Sequence, residues 1–76
     1  YPNPANTNIS IKYHLNNGQK GAVIIYDILG RERVRIGLTS DANAVSVNVN
    51  DLETGIYIFK YIVDGKLLDT GKLLKQ

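Results

Sequence analysis

The chain contains no cysteine, no tryptophan and no methionine, and only two prolines and one histidine in 76 residues. Without cysteine there is no disulfide, no thiol nucleophile and no zinc site of the Cys/His type. A domain of this size buries only about 60% of the surface its unfolded chain exposes. Small domains commonly compensate with a disulfide or a metal. This one must rely on strand pairing, on apolar packing or on attachment to a larger protein. The lack of cysteine leaves the redox compartment open. Charge of one sign is also scarce. Nine Lys and Arg stand against seven Asp and Glu, a net of +2 spread along the chain. That is too weak a field to argue for nucleic acid as a partner. No apolar run approaches the roughly 18 residues of a membrane span, so direct membrane insertion is not expected. There is no signal peptide and no initiator Met, and the chain reads as an excised fragment.

What is present indicates one folded domain over residues 1–76. Hydrophobic residues make up 43% and charged residues 21%, an ordinary globular balance. The stretch that organises it is residues 55–75, GIYIFKYIVDGKLLDTGKLLK, read as a terminal β-hairpin. Its first arm is rich in β-branched and aromatic residues. Asp64-Gly65 suits a two-residue type I′ turn, because both positions need positive φ. That turn predicts Val63 opposite Lys66, Tyr61 opposite Leu68, Lys60 opposite Asp69 and Tyr57 opposite Lys72. Ile56, Ile58 and Ile62 then share one face with Leu67 and Leu73. Tyr57, Phe59, Tyr61 and Val63 share the other with Leu68 and Leu74. Both faces are apolar, whereas a surface hairpin needs only one. Something must cover the second.

Upstream, residues 1–8 (YPNPANTN) form an extended lead-in, since each proline restricts its own φ and its predecessor. Residues 9–15 alternate cleanly, a half-buried strand. Asn17-Gly18 turns the chain. Residues 22–28 (AVIIYDI) are apolar almost throughout, as in a central strand covered on both faces. Residues 31–38 alternate, with Glu32, Val34, Ile36 and Leu38 on one face and Arg31, Arg33 and Arg35 on the other. Residues 44–50 alternate again. No helical period emerges. These elements predict a small immunoglobulin-like antiparallel β-sandwich of about six to seven strands. Asp51-Leu52 followed by Gly55-x-Tyr57-x-Phe59 matches a tyrosine corner, which turns Tyr57 and Phe59 inward. The Ile56/Ile58/Ile62 face is then the less protected one.

Catalytic chemistry has little to stand on, and an enzyme is not expected. His14 lies on the polar face of its strand and reads as a solvated residue. Asp51 and Glu53, with Asp27 or Asp41, are possible calcium ligands by type, but dispersed loop acids are ordinarily solubilising. No catalytic, metal or cofactor site is assigned. Arg31, Arg33 and Arg35 form a basic stripe suited by geometry to phosphate or a polyanionic glycan, yet read better as a guarded sheet edge. Tyr57, Phe59 and Tyr61 have the rings to stack on sugars or bases, but at this spacing are core.

Taken together, the segments resemble the C-terminal sorting domain of type IX secretion cargo from the Bacteroidota. The similarity covers nearly the whole chain. It starts with Tyr1-Pro2-Asn3-Pro4-Ala5 and continues through Ile24-Ile25-Tyr26-Asp27, then Gly30-Arg31 and Val34. Leu52 with Gly55-Ile56-Tyr57-Ile58-Phe59-Lys60 follows, then Gly65-Lys66 and the closing Lys72-Leu73-Leu74-Lys75. Each block alone carries little; four in this order at this spacing are specific. Gly71 departs from the polar or basic residue expected before the final lysines. The resemblance implies a delivery role: a domain at the end of a larger cargo, read by the type IX translocon in the periplasm. The cargo then crosses the outer membrane to the cell surface or medium. A sortase-like peptidase commonly removes the domain in exchange for a surface anchor. The partners so implied are translocon components, the peptidase and a covalently attached upstream cargo.

These readings meet at the hairpin. Ile56, Ile58, Ile62, Leu73 and Leu74, with Lys66, Lys72 and Lys75, are the expected recognition residues. The hairpin edge also suggests a strand-exchanged homodimer when the domain is isolated. The competing reading is a fibronectin- or immunoglobulin-like accessory module that binds glycan or spaces domains.

Overall fold

Residues 7–76 are described by a computed structural model of the chain. Among the described residues six strands follow one another: β1 (Asn8–Lys12), β2 (Gly21–Asp27), β3 (Glu32–Leu38), β4 (Ala44–Asn48), β5 (Gly55–Val63) and β6 (Lys66–Lys75). Every pairing is antiparallel. One sheet has the order β3-β2-β5-β6, and a second holds β1 and β4 alone. The architecture is the small β-sandwich that the alternating patterns predict. The Tyr1-Pro2-Asn3-Pro4 motif lies outside the described residues.

The core forms between the sheets from one side of each strand. Ile9 and Ile11 of β1 and Val47 of β4 meet Val23 and Ile25 of β2, Tyr57, Phe59 and Val63 of β5, and Leu73 of β6. Val34 and Ile36 of β3 pack against this cluster at its margin. The first strand pairs over a shorter span than its alternation suggests. Beyond Lys12 the chain leaves the ladder, although the Tyr13 amide still donates to the Asn43 carbonyl at 3.0 Å and Leu15 remains buried.

The terminal hairpin turns at Asp64-Gly65 as expected, with φ of 49° and 81°, the type I′ conformation. Asp64 is also tied across the molecule. Its amide donates to the Lys20 carbonyl at 2.8 Å, and its carboxylate accepts from the Lys20 amide at 3.0 Å. Val63 faces Lys66 and Ile62 faces Leu67, in the predicted register. A β-bulge at Leu68 then shifts every later pair by one. Tyr61 faces Asp69, Lys60 faces Thr70, Ile58 faces Lys72 and Tyr57 faces Leu73. The expected Lys60–Asp69 pair is not formed, and Tyr57 does not oppose Lys72. Because side chains alternate with period two, one extra residue exchanges the faces of all that follow. Leu73 therefore points into the core and Leu74 out of it, the reverse of the simple register.

A second bulge, between Ile25 and Tyr26 of β2 and their partners, does the same to β3. Ile25 faces Val34, but Tyr26 faces Glu32. Glu32 thus joins Arg35 on the outer face, three residues away, where their side chains form an ion pair at 2.7 Å. The face shared by Glu32 and Val34 in the plain alternation is not realised, and the arginines do not form one stripe.

The corner at the start of β5 is present. The Tyr57 hydroxyl donates to the Glu53 carbonyl at 2.6 Å, and Tyr57 and Phe59 are buried. Gly71, on the edge strand β6, sits directly opposite Phe59. A large ring across from a glycine is a known way to keep such a strand packed.

Candidate recognition surface

The four-stranded sheet has two faces, and the β1–β4 pair covers only one. On the other lie Ala22, Ile24 and Tyr26 of β2, Ile56, Ile58, Lys60 and Ile62 of β5, and Leu67, Lys72 and Leu74 of β6. Its centre is closed without a further layer. Ile24 is only 2% exposed, and the side chains across the ladder from it are Arg35 and Lys60. Their aliphatic stems are placed to cover it while the charges reach water. The Lys60 ammonium sits 4.9 Å from the Tyr26 ring centre, within cation–π range. β2 is therefore covered on both faces as its composition predicts, with side-chain stems as one of the covers.

Toward the hairpin this cover gives out. Ile56 is 51% exposed, Leu67 54% and Leu74 40%. They stand as cross-strand pairs, Ile56 with Leu74 and Ile62 with Leu67. Ile58 and Ile62 are half-buried, and Lys66 and Lys72 are exposed. Six of the eight expected recognition residues thus present side-chain surface. Leu73 and Lys75 do not. Leu73 is 1% exposed and Lys75 7%, because the Leu68 bulge turns both inward. The Lys75 ammonium folds back to donate to the Gln76 carbonyl at 3.0 Å.

The structure adds two residues that the periodicity argument passed over. Ile28 and Leu29, at the tip between β2 and β3, are 75% and 74% exposed, the most open aliphatic side chains described. The signal was legible: turn positions ordinarily hold polar residues, and this turn reads Asp-Ile-Leu-Gly. Asp27 holds it. Its carboxylate accepts from the Leu29 amide at 3.0 Å and the Arg31 amide at 2.9 Å. The Arg31 guanidinium Nε donates to it at 2.7 Å, and Arg33 lies 3.8 Å away. The Asp27 backbone closes the loop in both directions, taking the Gly30 amide and giving to the Arg31 carbonyl. Gly30 has φ of 84°, which a side chain would disfavour. Burial pushes the Asp27 carboxyl up, but the bonds from Arg31 and Leu29 and the Arg31 charge outweigh it and hold the acid below its usual value.

The Ile28–Leu29 tip is not isolated from the hairpin. An open cleft of about 270 Å³ joins Ile28 and Leu29 to Glu53, Thr54 and Ile56. A second depression of about 310 Å³ lies between Ile28, Tyr26, Ile58 and Lys60. The first also takes in Arg31, Arg33 and Glu53, so the two link the turn to Ile56 and Ile58 of β5 through mixed polar and apolar ground, and a further depression joins Ile56 to Leu74 of β6.

The remaining candidates are placed differently. His14 is exposed, and its Nε2 lies 3.1 Å from the Asn16 Oδ1. Asp27 is committed to the turn, and among the described residues no group of three or more His, Asp or Glu is gathered to hold a metal. Arg31 and Arg33 are drawn to Asp27 and Arg35 to Glu32, so the basic stripe is spent on neighbouring acids. Tyr57 and Phe59 offer no ring to a ligand, and the half-buried Tyr61 directs its hydroxyl to the His14 carbonyl at 3.3 Å.

Comparison with known families gives one match. Residues 1–76, the whole chain, match the family described as Secretion system C-terminal sorting domain. No curated protein matches the chain, and no solved structure does.

Proposed function

Since the chain belongs to the family of secretion-system C-terminal sorting domains of the type IX pathway, we propose that it is the folded export signal of a larger cargo, read on the outer face of its terminal hairpin. The cargo reaches the periplasm by its own leader. The translocon then docks on the Ile56/Leu74 and Ile62/Leu67 pairs, with Ile58 between them and Lys66 and Lys72 at the rim. Passage across the outer membrane follows, and a sortase-like peptidase exchanges the domain for a surface anchor. The domain is the substrate in this sequence of events, and any catalysis belongs to the cargo.

One observation carries the reading. In a domain this small, aliphatic pairs are left in water on one sheet face while the opposite face is packed. Exposed contiguous apolar surface of this kind marks interaction sites. The glycan-binding reading finds no such support, because Tyr57 and Phe59 are in the core and Tyr61 is packed against it.

The test is fusion of residues 1–76 to a periplasmic reporter in a type IX host. The parent fusion should reach the cell surface. Ile56→Asp and Leu74→Asp should hold it in the periplasm while melting at the parent temperature. Export of both variants at the parent level would remove the hairpin face from the account. Failure of the parent itself would remove the sorting role.

A further inference from the structure

We propose that the β2–β3 turn is a second docking element: Ile28 and Leu29 insert as a preformed knob into an apolar pocket, rimmed by carboxylates, on a protein of the export machinery. This rests on the sorting role proposed above and extends it to a part of the molecule remote in sequence from the hairpin.

Three features of the turn carry the inference. Its two tip residues are about three-quarters exposed, so the fold gains almost nothing from their being aliphatic. Serine or asparagine would serve the turn better. The loop is also held in one shape. The Asp27 carboxylate takes two amides and a guanidinium, and the loop backbone closes on itself. A knob already ordered before binding loses little conformational entropy on docking. The third feature is continuity, since the clefts on either side of Ile28 run to Ile56 and Ile58. One partner surface can therefore engage turn and hairpin together.

Charge and shape select the partner. Arg31, Arg33, Arg35, Lys60 and Lys72 lie at the turn or on the outer face. Against them stand Asp27, which is 10% exposed, Glu32, which is paired with Arg35, and the exposed Glu53 at the far wall of the first cleft. Asp69 belongs to the inner side, beside Tyr13 and Phe59. Five cations against these three acids leave the ground net positive, with Lys60 and Lys72 outside the ion pairs to Asp27 and Glu32, which favours an acidic rim opposite. Clefts flanking a knob accept side chains from a shaped protein surface; a lipid surface has no ridges to fill them.

The experiment uses the same reporter fusion carrying Ile28→Ser with Leu29→Ser, and separately Ile28→Leu with Leu29→Ile. Both should melt with the parent, since the replaced groups are in water. Export and association with detergent-extracted translocon from the host are measured side by side. The serine variant should bind about tenfold or more weaker, the scale of losing one buried aliphatic group, and export should fall with it. The conservative variant should match the parent, and raising salt should weaken parent binding. Parent-level binding and export by the serine variant would overturn the second docking element while leaving the hairpin reading intact. Salt-independent parent binding would overturn the acidic rim. Binding of the parent, but not the serine variant, to vesicles of anionic lipid would overturn the protein partner in favour of a membrane. Loss of export in the parent fusion would overturn the sorting role on which all of this rests.

Discussion

Tyr57 illustrates how single side chains hold this domain. Its ring is in the core and its hydroxyl closes the corner on Glu53. Tyr57→Phe keeps the ring and removes one hydrogen bond, so it should cost about 1 kcal/mol. Urea denaturation checks this, with the midpoint lowered and the slope unchanged. Asp27 sets a pH dependence. Its folded-state pKa lies below the usual carboxylate value, so its ionised form stabilises the fold above that usual value. The contribution is lost as pH falls through the depressed one. Stability followed downward from neutrality should therefore fall below about pH 4. Asp27→Asn should lower stability at neutral pH and flatten that acid limb. The limb should not vanish, because Glu32 is also held below its usual value, first by its hydrogen bond from Arg35.

At the level of elements, the bulge in β6 decides what the hairpin shows. With Leu68 set out of the ladder, Leu73 seals the core and Leu74 faces water. Leu73→Ala should cost about 2–5 kcal/mol, a large share of the total stability of so small a domain. Leu74→Ala should stay within about 0.5 kcal/mol. Thermal or urea melts of the pair measure the difference, and equal effects would refute the bulged register. The same element warns against truncation as a test of recognition. Removing residues 72–76 deletes Leu73 from the core, so lost export would report unfolding as readily as a lost signal. Point changes on the outer face avoid this.

Over the whole molecule, the arrangement is one packed face and one partly open face, with edge strands β3 and β6 bounding the larger sheet. β6 is ten residues long, and a strand of that length at an edge invites pairing with another chain. Isolated domain should therefore show concentration-dependent association, read by sedimentation or light scattering, through exchange or addition of this strand. Covalent attachment to cargo dilutes the effect by separating the copies. A domain that stayed monomeric at high concentration would count against strand exchange.

Period-two alternation, two turn dipeptides and a tyrosine corner were enough to place all six strands and to point Tyr57 and Phe59 inward. These follow from local chemistry: β-branched and aromatic residues suit a pleated surface, Asp-Gly tolerates positive φ, and a buried hydroxyl needs a partner nearby. The outer position of Ile56 followed from the same counting. Neither bulge was legible, because Leu68 and Arg33 differ in no local property from residues that stay in register. Their effect is seen only in the assembled sheet, where Leu73 lies across from Tyr57 and Glu32 beside Arg35. The cover over Ile24 was equally a tertiary matter, since stems from β3 and β5 meet there only once the strands are paired. Which faces exist was thus local information. Which of Leu73 and Leu74 fills the core, and where aliphatic surface remains in water, was decided by long-range packing, where one inserted residue exchanges inside for outside.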